Sequence, residues 1–167
     1  MLLFLLFGCQ EPKIEVDTAQ CETSVTDIAK GLTTEQYEVS ETIEEELSQL
    51  DIPDNLIAAA IVNAVAESRL NPEAVGDGGR AVGAFQLHKR GLGKNLSVDD
   101  RKNIYTNTNI VGIQILKSNK LFTLNENGAE ISELSAVFAE EIMRPANIET
   151  RKEERRKIAN KIFPKRL

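Results

Sequence analysis

The sequence has few of the residues on which several classes of protein depend. Among its 167 residues are two cysteines, Cys9 and Cys21, and one histidine, His88. Two cysteines exclude a scaffold held by several disulfides. A single histidine without a cysteine or carboxylate at ligand spacing makes no zinc site. We therefore expect neither a metal nor an organic cofactor.

Positive charge and long apolar runs are also scarce. The formal net charge is −6, so the totals give no indication of nucleic-acid binding. The N-terminal apolar run in "MLLFLLFGCQ" is far shorter than the roughly 20 residues that span a bilayer. With 41% hydrophobic and 28% charged residues, the composition is that of a globular protein. The length suits one domain with a tail, and we expect a monomer.

The first ten residues resemble the signal of a bacterial lipoprotein. In such signals a small residue, here Gly8, precedes a cysteine, here Cys9, that is lipidated and becomes the mature N-terminus. The bulky Phe7 and the lack of a preceding cation depart from this pattern, and an ordinary signal peptide is the alternative. The resemblance implies a membrane-anchored protein of the periplasm or cell envelope. Cys21 would then be an unpaired thiol; without lipidation it could pair with Cys9.

The remaining chain divides by composition into a tail and a domain. We predict a signal segment at residues 1–9, a flexible acidic tether at residues 10–40 and a folded domain at residues 41–167. Up to about residue 34 the tail shows no sustained helical or strand period and few large apolar residues.

The stretch "DNLIAAAIVNAVAESRL" predicts a helix that is buried on most sides, because it is apolar almost all round. Its interior polar exceptions, Asn63 and Glu67, lie four residues apart on one stripe. A carboxylate in the last turn faces the negative end of the helix dipole, so fold stability alone does not favour Glu67. Either it serves a function, or it lies in water at a frayed helix end and pairs with Arg69 or another cation.

The next stretch, "RLNPEAVGDGGRAVGAFQLH", predicts a loop followed by a small extended element. Asn71 and Pro72 end the helix, and the glycines permit unusual backbone shapes. Residues 82–87 suit a short, partly buried strand. The glycine spacing of phosphate-binding loops is missing.

Further helices are predicted downstream. In "NIVGIQILKSNKLF", Ile110, Ile113 and Leu116 have helical spacing, with Val111 and Ile115 alongside. "ISELSAVFAEEIM" repeats the pattern. The basic "RKEERRKIANKIF" has a narrow apolar stripe, which indicates either a docked helix with a solvated face or a helix lying against an anionic wall or membrane surface.

Taken in order, these motifs resemble a known group of enzymes. Glu67 and Ser68, then "NPEAVG", then "VGAFQ" are similar to the Glu-Ser, Asn-Pro-x-Ala and Gly-Leu-Met-Gln motifs of soluble lytic transglycosylases and goose-type lysozymes. "GDGGRAVGAFQLH" and the closing "SAVFAEEIMRPANIETRKEERRKIANKIF" resemble phage tail and virion-associated lysozymes more closely. The resemblance covers about residues 55–163.

The resemblance implies a mainly α, lysozyme-like α+β fold, with about five to seven helices around the buried central helix and a small β element. It also implies a muramidase that cleaves the β-1,4 bond between N-acetylmuramic acid and N-acetylglucosamine in peptidoglycan. Glu67 would be the general acid, because a buried setting at a helix C-terminus raises a carboxyl pKa.

Other residues receive roles from the same resemblance. Asp77 is the candidate base that activates water, and its alternative is a turn residue bonded to its own backbone. Gln86 would bind a sugar N-acetyl or hydroxyl group, unless it is only a satisfied polar residue. The remaining substrate-binding candidates are Ser68, Gly83, Phe85 and His88.

Three classes of function stay open at this stage. The Ala-Tyr-Asn-Ala-Gly motif of soluble lytic transglycosylases is absent, with "AVFAEEI" in its place, which argues mildly for hydrolysis over formation of 1,6-anhydro products. A catalytically silent peptidoglycan-binding lipoprotein is the second class. A structural protein of a phage particle or envelope is the third.

Overall fold

A computed structural model describes residues 23–164. Within that range the chain forms eight α-helices and three two-residue strands. The helices are α1 Val25–Ile28, α2 Thr34–Ser48, α3 Asp54–Ser68, α4 Val98–Lys102, α5 Ile104–Leu116, α6 Asn119–Glu126, α7 Ile131–Phe138 and α8 Ile148–Ile162. The strands are β1 Val75–Gly76, β2 Ala81–Val82 and β3 Leu87–His88.

The predicted mainly α fold with a small β element is confirmed. The helix count exceeds the expected five to seven because α1 is a single turn of four residues, too short to leave a periodic pattern. No helix in the described range is long and apolar enough to cross a membrane.

Helix α3 is the centre of the domain, as its sequence predicts. Residues 56–64 of this helix are all buried, and the helix packs against α7, α8, α2 and α1. Alanines 58–60 leave little side-chain bulk between α3 and its neighbours. The helix ends where Arg69 and Leu70 both adopt positive φ angles, 60° and 61°, and Leu70 turns back into the core at 2% exposure.

The three strands form one antiparallel sheet in the order β1, β2, β3. Val75 pairs with Val82, and Val82 pairs in turn with Leu87. A turn of 3-10 helix at Asp77–Gly79 joins the first two strands. The predicted extended element at residues 82–87 is therefore two strand ends joined by a turn.

Two buried polar residues attach this sheet to the helices. Arg101, 3% exposed, donates hydrogen bonds to the carbonyls of Arg80 at 2.8 Å and Leu87 at 3.1 Å. Asn107 accepts the backbone N–H of Phe85 at 3.0 Å and donates to the carbonyl of Arg101 at 2.6 Å. The loop that follows Glu67 is thus fixed to α4 and α5 by hydrogen bonds rather than by its own short strands.

The domain begins earlier than the sequence indicated. Thr33 and Gln36 form a capping box at the start of α2. The first two N–H groups of α1, on Val25 and Thr26, each donate to the carboxylate of Glu44 at 2.7 Å. Val25 is only 3% exposed. Residues 24–40 therefore pack on the domain instead of forming part of a tether, because α1 has its own apolar anchor. The rest of that tether, and the signal segment with Cys9 and Cys21, lie outside the described residues.

The face that α5 buries differs from the prediction. Ile113 and Leu116 are 43% and 46% exposed, whereas Val111 and Ile115 are fully buried. Gly112 lies on the buried side with them, where a Cβ would be 2.6 Å from Leu50 Cδ1 and 3.0 Å from Leu47 Cδ2. The side of α5 that packs on α2 is therefore the one that carries Val111, Gly112 and Ile115.

Candidate active site

Glu67 projects from the last turn of α3 and is largely shielded from water. Its side chain is 21% exposed. The guanidinium of Arg155, from α8, contacts it. Arg155 Nη2 donates a hydrogen bond to Glu67 Oε1, and Arg155 Nε donates one to Asn63 Oδ1 at 3.0 Å. Arg155 is 1% exposed. One buried arginine therefore bridges the two polar residues of the α3 stripe.

Asn63 is fixed in turn by the backbone of two helices. Its amide nitrogen donates to the carbonyls of Ala59 at 2.9 Å and Ser135 at 3.1 Å. Because both amide hydrogens are used, the side-chain oxygen must face Arg155. These hydrogen bonds join α3, α7 and α8, and they fix the guanidinium of Arg155 beside Glu67.

Burial controls the protonation of Glu67. Desolvation raises the pKa of its carboxyl, and the negative charge of Glu154 adds to this rise. The positive charges of Arg155 and Arg151 act to lower the pKa, but the net result lies above the ordinary value. Burial also lowers the pKa of Arg155, against the attraction of Glu67 and Glu154. Glu67 is therefore not at a frayed helix end, and its partner is Arg155 rather than Arg69.

Ser68 joins the end of α3 to the loop that carries the remaining motif. Its hydroxyl donates to the carbonyl of Ala84 at 2.7 Å and accepts the N–H of Asn71 at 3.0 Å. The adjacent Glu-Ser and Gly-Ala-Phe-Gln motifs are thus in direct contact. Contact of Ser68 with a sugar stays a prediction.

Asp77 lies in a more exposed cluster on the glycine loop. Its Oδ1 accepts from Arg80 Nη2 at 2.7 Å and its Oδ2 lies 3.0 Å from His88 Nε2. His88 Nδ1 accepts the N–H of Arg90, so the neutral ring carries its proton on Nε2 and donates it to Asp77. Desolvation acts to raise the pKa of Asp77, but its contacts with Arg80 and His88 outweigh that effect and lower it.

Gln86 is held by the loop itself. Its amide nitrogen donates to the carbonyls of Gly83 at 2.9 Å and Ala74 at 3.2 Å. Its Oε1 lies against the backbone of Gly76. If residue 76 had a Cβ, that atom would be only 2.4 Å from Gln86 Oε1. The amide nitrogen of Gln86 therefore supports the loop, and only its oxygen is left for a sugar.

Gly83 and Phe85 belong to the wall behind the site. A Cβ on Gly83 would lie 2.1 Å from the carbonyl oxygen of Arg101 and 2.3 Å from Asn107 Nδ2, and its φ is +88°. Phe85 is fully buried. The contacts of Gly83 are packing contacts, whereas Phe85 also belongs to the lining of the cleft described next. Contact of either residue with substrate stays a prediction.

A cleft of about 460 Å³ opens beside this loop. One side is formed by the segment from Phe85 to Leu92, and another by the π-helical segment Ala139–Met143 and its C-terminal neighbour Arg144. Gln86 and His88 line it, as do Arg90, Gln114 and Glu141, which the motifs did not indicate. The cleft brings together parts of the loop and of "AVFAEEIMR" that are about 50 residues apart in sequence.

A larger cavity, of about 990 Å³, lies at the opposite end of α3. Its lining includes Asn55, in the first turn of α3, and both ends of the described chain, Thr23 and Pro164. Twelve residues of helix, or about 18 Å at 1.5 Å per residue, separate Asn55 from Glu67. We place the site beside the smaller cleft, because the motif residues Gln86 and His88 line it and His88 contacts Asp77. Glu67 and Asp77 themselves are not among the residues that line this cleft.

The described range of the chain does not meet the requirements of a metal site. No group of three or more histidine, cysteine, aspartate or glutamate side chains there could hold an ion.

The sequence did not single out Arg155, but it contains one usable signal. Arg155, Ala159 and Ile162 have the spacing i, i+4, i+7 and are all buried. An arginine on the apolar stripe of a docked helix must reach a buried polar partner. The alternative that α8 is a docked helix with a solvated face is the one observed.

The buried helix that ends in a shielded glutamate, the small antiparallel sheet and the cleft between sheet and helices define a lysozyme-like domain. The family model described as phage tail lysozyme matches residues 38–165, and the chain belongs to that family of peptidoglycan-degrading enzymes. Neither a comparison with curated proteins nor one with solved structures gave a significant match.

Proposed function

We propose that the protein is a muramidase that cleaves the β-1,4 bond between N-acetylmuramic acid and N-acetylglucosamine, with Glu67 as general acid. The observation that carries this proposal is the burial of Glu67 at the end of α3. Cleavage needs a proton on the leaving oxygen, and a carboxyl group supplies it near neutral pH only if its pKa is raised. Desolvation raises the pKa of Glu67 in spite of Arg155.

Asp77 is the proposed base. Two carboxyl groups with distinct roles need environments that push their pKa values apart. The pKa of Glu67 is raised and that of Asp77 is lowered, which widens the pH interval in which the first carboxyl is protonated while the second is ionised. In an inverting mechanism the ionised group activates a water molecule on the other face of the sugar ring.

One observation favours a second candidate, the lytic transglycosylase reaction. Both oxygens of Asp77 already accept hydrogen bonds, from Arg80 and His88. If these bonds prevent Asp77 from accepting a proton from water, the 6-hydroxyl of the muramic acid attacks C1 as the glycosidic bond breaks. Glu67, which has given its proton to the leaving oxygen, then takes the hydroxyl proton, and the product is a 1,6-anhydro sugar.

The test is mass spectrometry of products from purified peptidoglycan, with the full chain beside Glu67→Gln and Asp77→Asn. We expect reducing-end muropeptides from the unaltered protein, and at least about a 100-fold loss of rate in Glu67→Gln. A comparable loss in Asp77→Asn supports hydrolysis with Asp77 as base. Products lighter by one water, with Asp77→Asn still active, identify a transglycosylase.

A protein without products would contradict the enzymatic proposal. If it still sediments with peptidoglycan, it is the silent binding protein considered above. If it instead co-purifies stably with particle proteins, it is a structural component.

We also propose that the protein reaches its substrate from a membrane, through lipidated Cys9. The lipoprotein-like "LLFGCQ" supports this, and the residues concerned lie outside the described range. Mass spectrometry of the protein from a bacterial host should show diacylglyceryl modification, absent in Cys9→Ser. An unmodified mature N-terminus at another residue would exclude the anchor.

A further inference from the structure

Two arginines that the proposed proton chemistry does not use line the active-site cleft. Arg90 lies just after β3, and Arg144 follows the π-helical segment. Both are exposed, and within residues 23–164 neither has a carboxylate partner within 4.0 Å. Most other arginines of the domain form ion pairs or, like Arg101, are buried among carbonyl groups. Two unpaired guanidinium groups therefore face one concave surface from two separate segments.

The backbone and side chain of Arg144 are both constrained. Its φ of 47° is uncommon for a residue with a side chain, and it is kept by a hydrogen bond from its N–H to the carbonyl of Ala139 at 2.8 Å. Its Nε donates to the carbonyl of Glu141 at 3.0 Å. With Nε used, the edge formed by the two Nη atoms is left for a ligand, and this edge suits a bidentate carboxylate.

Arg90 is placed by His88. The N–H of Arg90 donates to His88 Nδ1 at 3.2 Å, and the other nitrogen of that ring contacts Asp77. The turn that carries Arg90 is therefore connected to the proposed base by one imidazole ring.

The cleft has a surplus of positive charge in a protein whose formal net charge is −6. Among the described residues, the one carboxylate that lines it is that of Glu141, and Glu141 Oε1 lies 3.7 Å from Lys120 Nζ. Arg90 and Arg144 are thus not neutralised from within the cleft. An anionic ligand would gain their attraction without first breaking an ion pair.

We propose that Arg90 and Arg144 form a subsite for the carboxylates of the peptide attached to muramic acid, so that the preferred substrate is a peptide-bearing strand. This rests on the proposed muramidase function. Peptidoglycan carries these peptides on alternate sugars, so a strand bound in the cleft would bring them close to its walls. Carboxylates suit the free Nη edge, and they lie on the same molecule as the bond to be cleaved.

The test is calorimetric binding with the full chain carrying Glu67→Gln, so that the probe is not consumed. The probe is a tetrasaccharide whose stem peptides carry free carboxylates, and its matched control has the same carboxylates converted to amides. Arg90→Gln and Arg144→Gln are compared with Lys89→Gln and Lys117→Gln, which remove exposed cations outside the cleft lining. Circular dichroism and the melting temperature report folding of each variant.

We expect each arginine variant to bind the acid probe about tenfold more weakly, as for a lost charged hydrogen bond. The amide probe and both lysine variants should change less than about twofold. Equal losses on both probes, or no loss on either, would overturn the subsite. Tighter binding of poly(glycerol phosphate) than of the acid probe would also overturn it, in favour of a phosphodiester ligand.

The outcome separates this inference from the one on which it rests. If the unaltered protein cleaves peptidoglycan and Arg90→Gln and Arg144→Gln do not distinguish the probes, only the subsite fails. If the protein neither cleaves peptidoglycan nor binds the tetrasaccharides, the muramidase proposal itself fails.

Discussion

The two carboxyl groups of the site lie ten residues apart and have contrasting surroundings. Glu67 stands on a rigid helix, 21% exposed, against an arginine that is 1% exposed. Asp77 stands on a loop with a positive φ of 47°, about half exposed, between Arg80 and His88. Both contact a guanidinium, yet the pKa of Glu67 is raised and that of Asp77 is lowered.

The difference shows that a neighbouring cation does not by itself decide how a carboxyl group titrates. At Glu67 the loss of hydration outweighs the attraction of Arg155, whereas Asp77 keeps enough water for its hydrogen bonds to determine the direction. In the proposed mechanism a helix end therefore provides the acid and a loop provides the anion, and each role depends on where the chain leaves the core.

Replacing Arg155 by methionine should have the largest effect on this contrast. Without the guanidinium, Glu67 and Asn63 lose their shared partner in the core. We expect a loss of about 3–5 kcal/mol in the free energy of unfolding, as for other broken buried ion pairs. Since Arg155 acts to lower the pKa of Glu67, the high-pH limit of activity should move upward. Chemical denaturation and a pH profile of kcat/KM measure the two effects.

Arg155→Lys is the control for that experiment, because it keeps the charge and loses the bridge to Asn63. It should move the high-pH limit less than methionine does. If the methionine variant is destabilised while its pH profile stays in place, Arg155 only fills space and has no influence on Glu67.

Replacing each carboxyl by its amide should give opposite stability effects of intermediate size. A raised folded pKa means that stability is lost as pH rises from the ordinary carboxyl pKa through the raised one. Glu67→Gln should therefore gain in melting temperature relative to the unaltered protein as pH rises above about 4. The lowered pKa of Asp77 stabilises the fold above its ordinary value of about 4, and that contribution is lost as pH falls below it. The deficit in melting temperature of Asp77→Asn should therefore be constant above about pH 4 and shrink at lower pH.

Thermal unfolding at several pH values measures both trends. The change should be smaller for Asp77, because its ion pair is about half exposed and is screened by solvent. Trends of the same sign in the two variants would contradict the opposite surroundings of the two groups.

The sequence was sufficient for α3 and for Glu67, because a nearly all-apolar run interrupted by one stripe of polar residues is a local signal. It did not determine which face of α5 is buried. That helix has apolar residues on several sides, and its packing against α2, a distant segment of the chain, selects among them.

Arg155 shows the same limit within the site. Residues 151–157 contain five cations; the apolar stripe of α8 distinguishes Arg155 among them, but no local rule says that its partner is Glu67, 88 residues away in sequence. The start of the domain was missed for a similar reason, since α1 depends on capping by Glu44, 19 residues further along. Interactions within one helix could be predicted, and those between distant segments could not.

The smallest expected effect is that of Arg80→Gln, and it decides the role of Asp77. The pair is about half exposed, so the rate at the optimum should change by no more than about fivefold. Loss of the hydrogen bond and charge of Arg80 lets the pKa of Asp77 rise. If Asp77 must be ionised to activate water, the low-pH limit of kcat/KM moves upward, whereas Lys94→Gln, which removes an exposed cation without contact to Asp77, leaves it in place. A low-pH limit that does not move in Arg80→Gln would mean that Asp77 shapes the loop and that the substrate's own hydroxyl is the nucleophile.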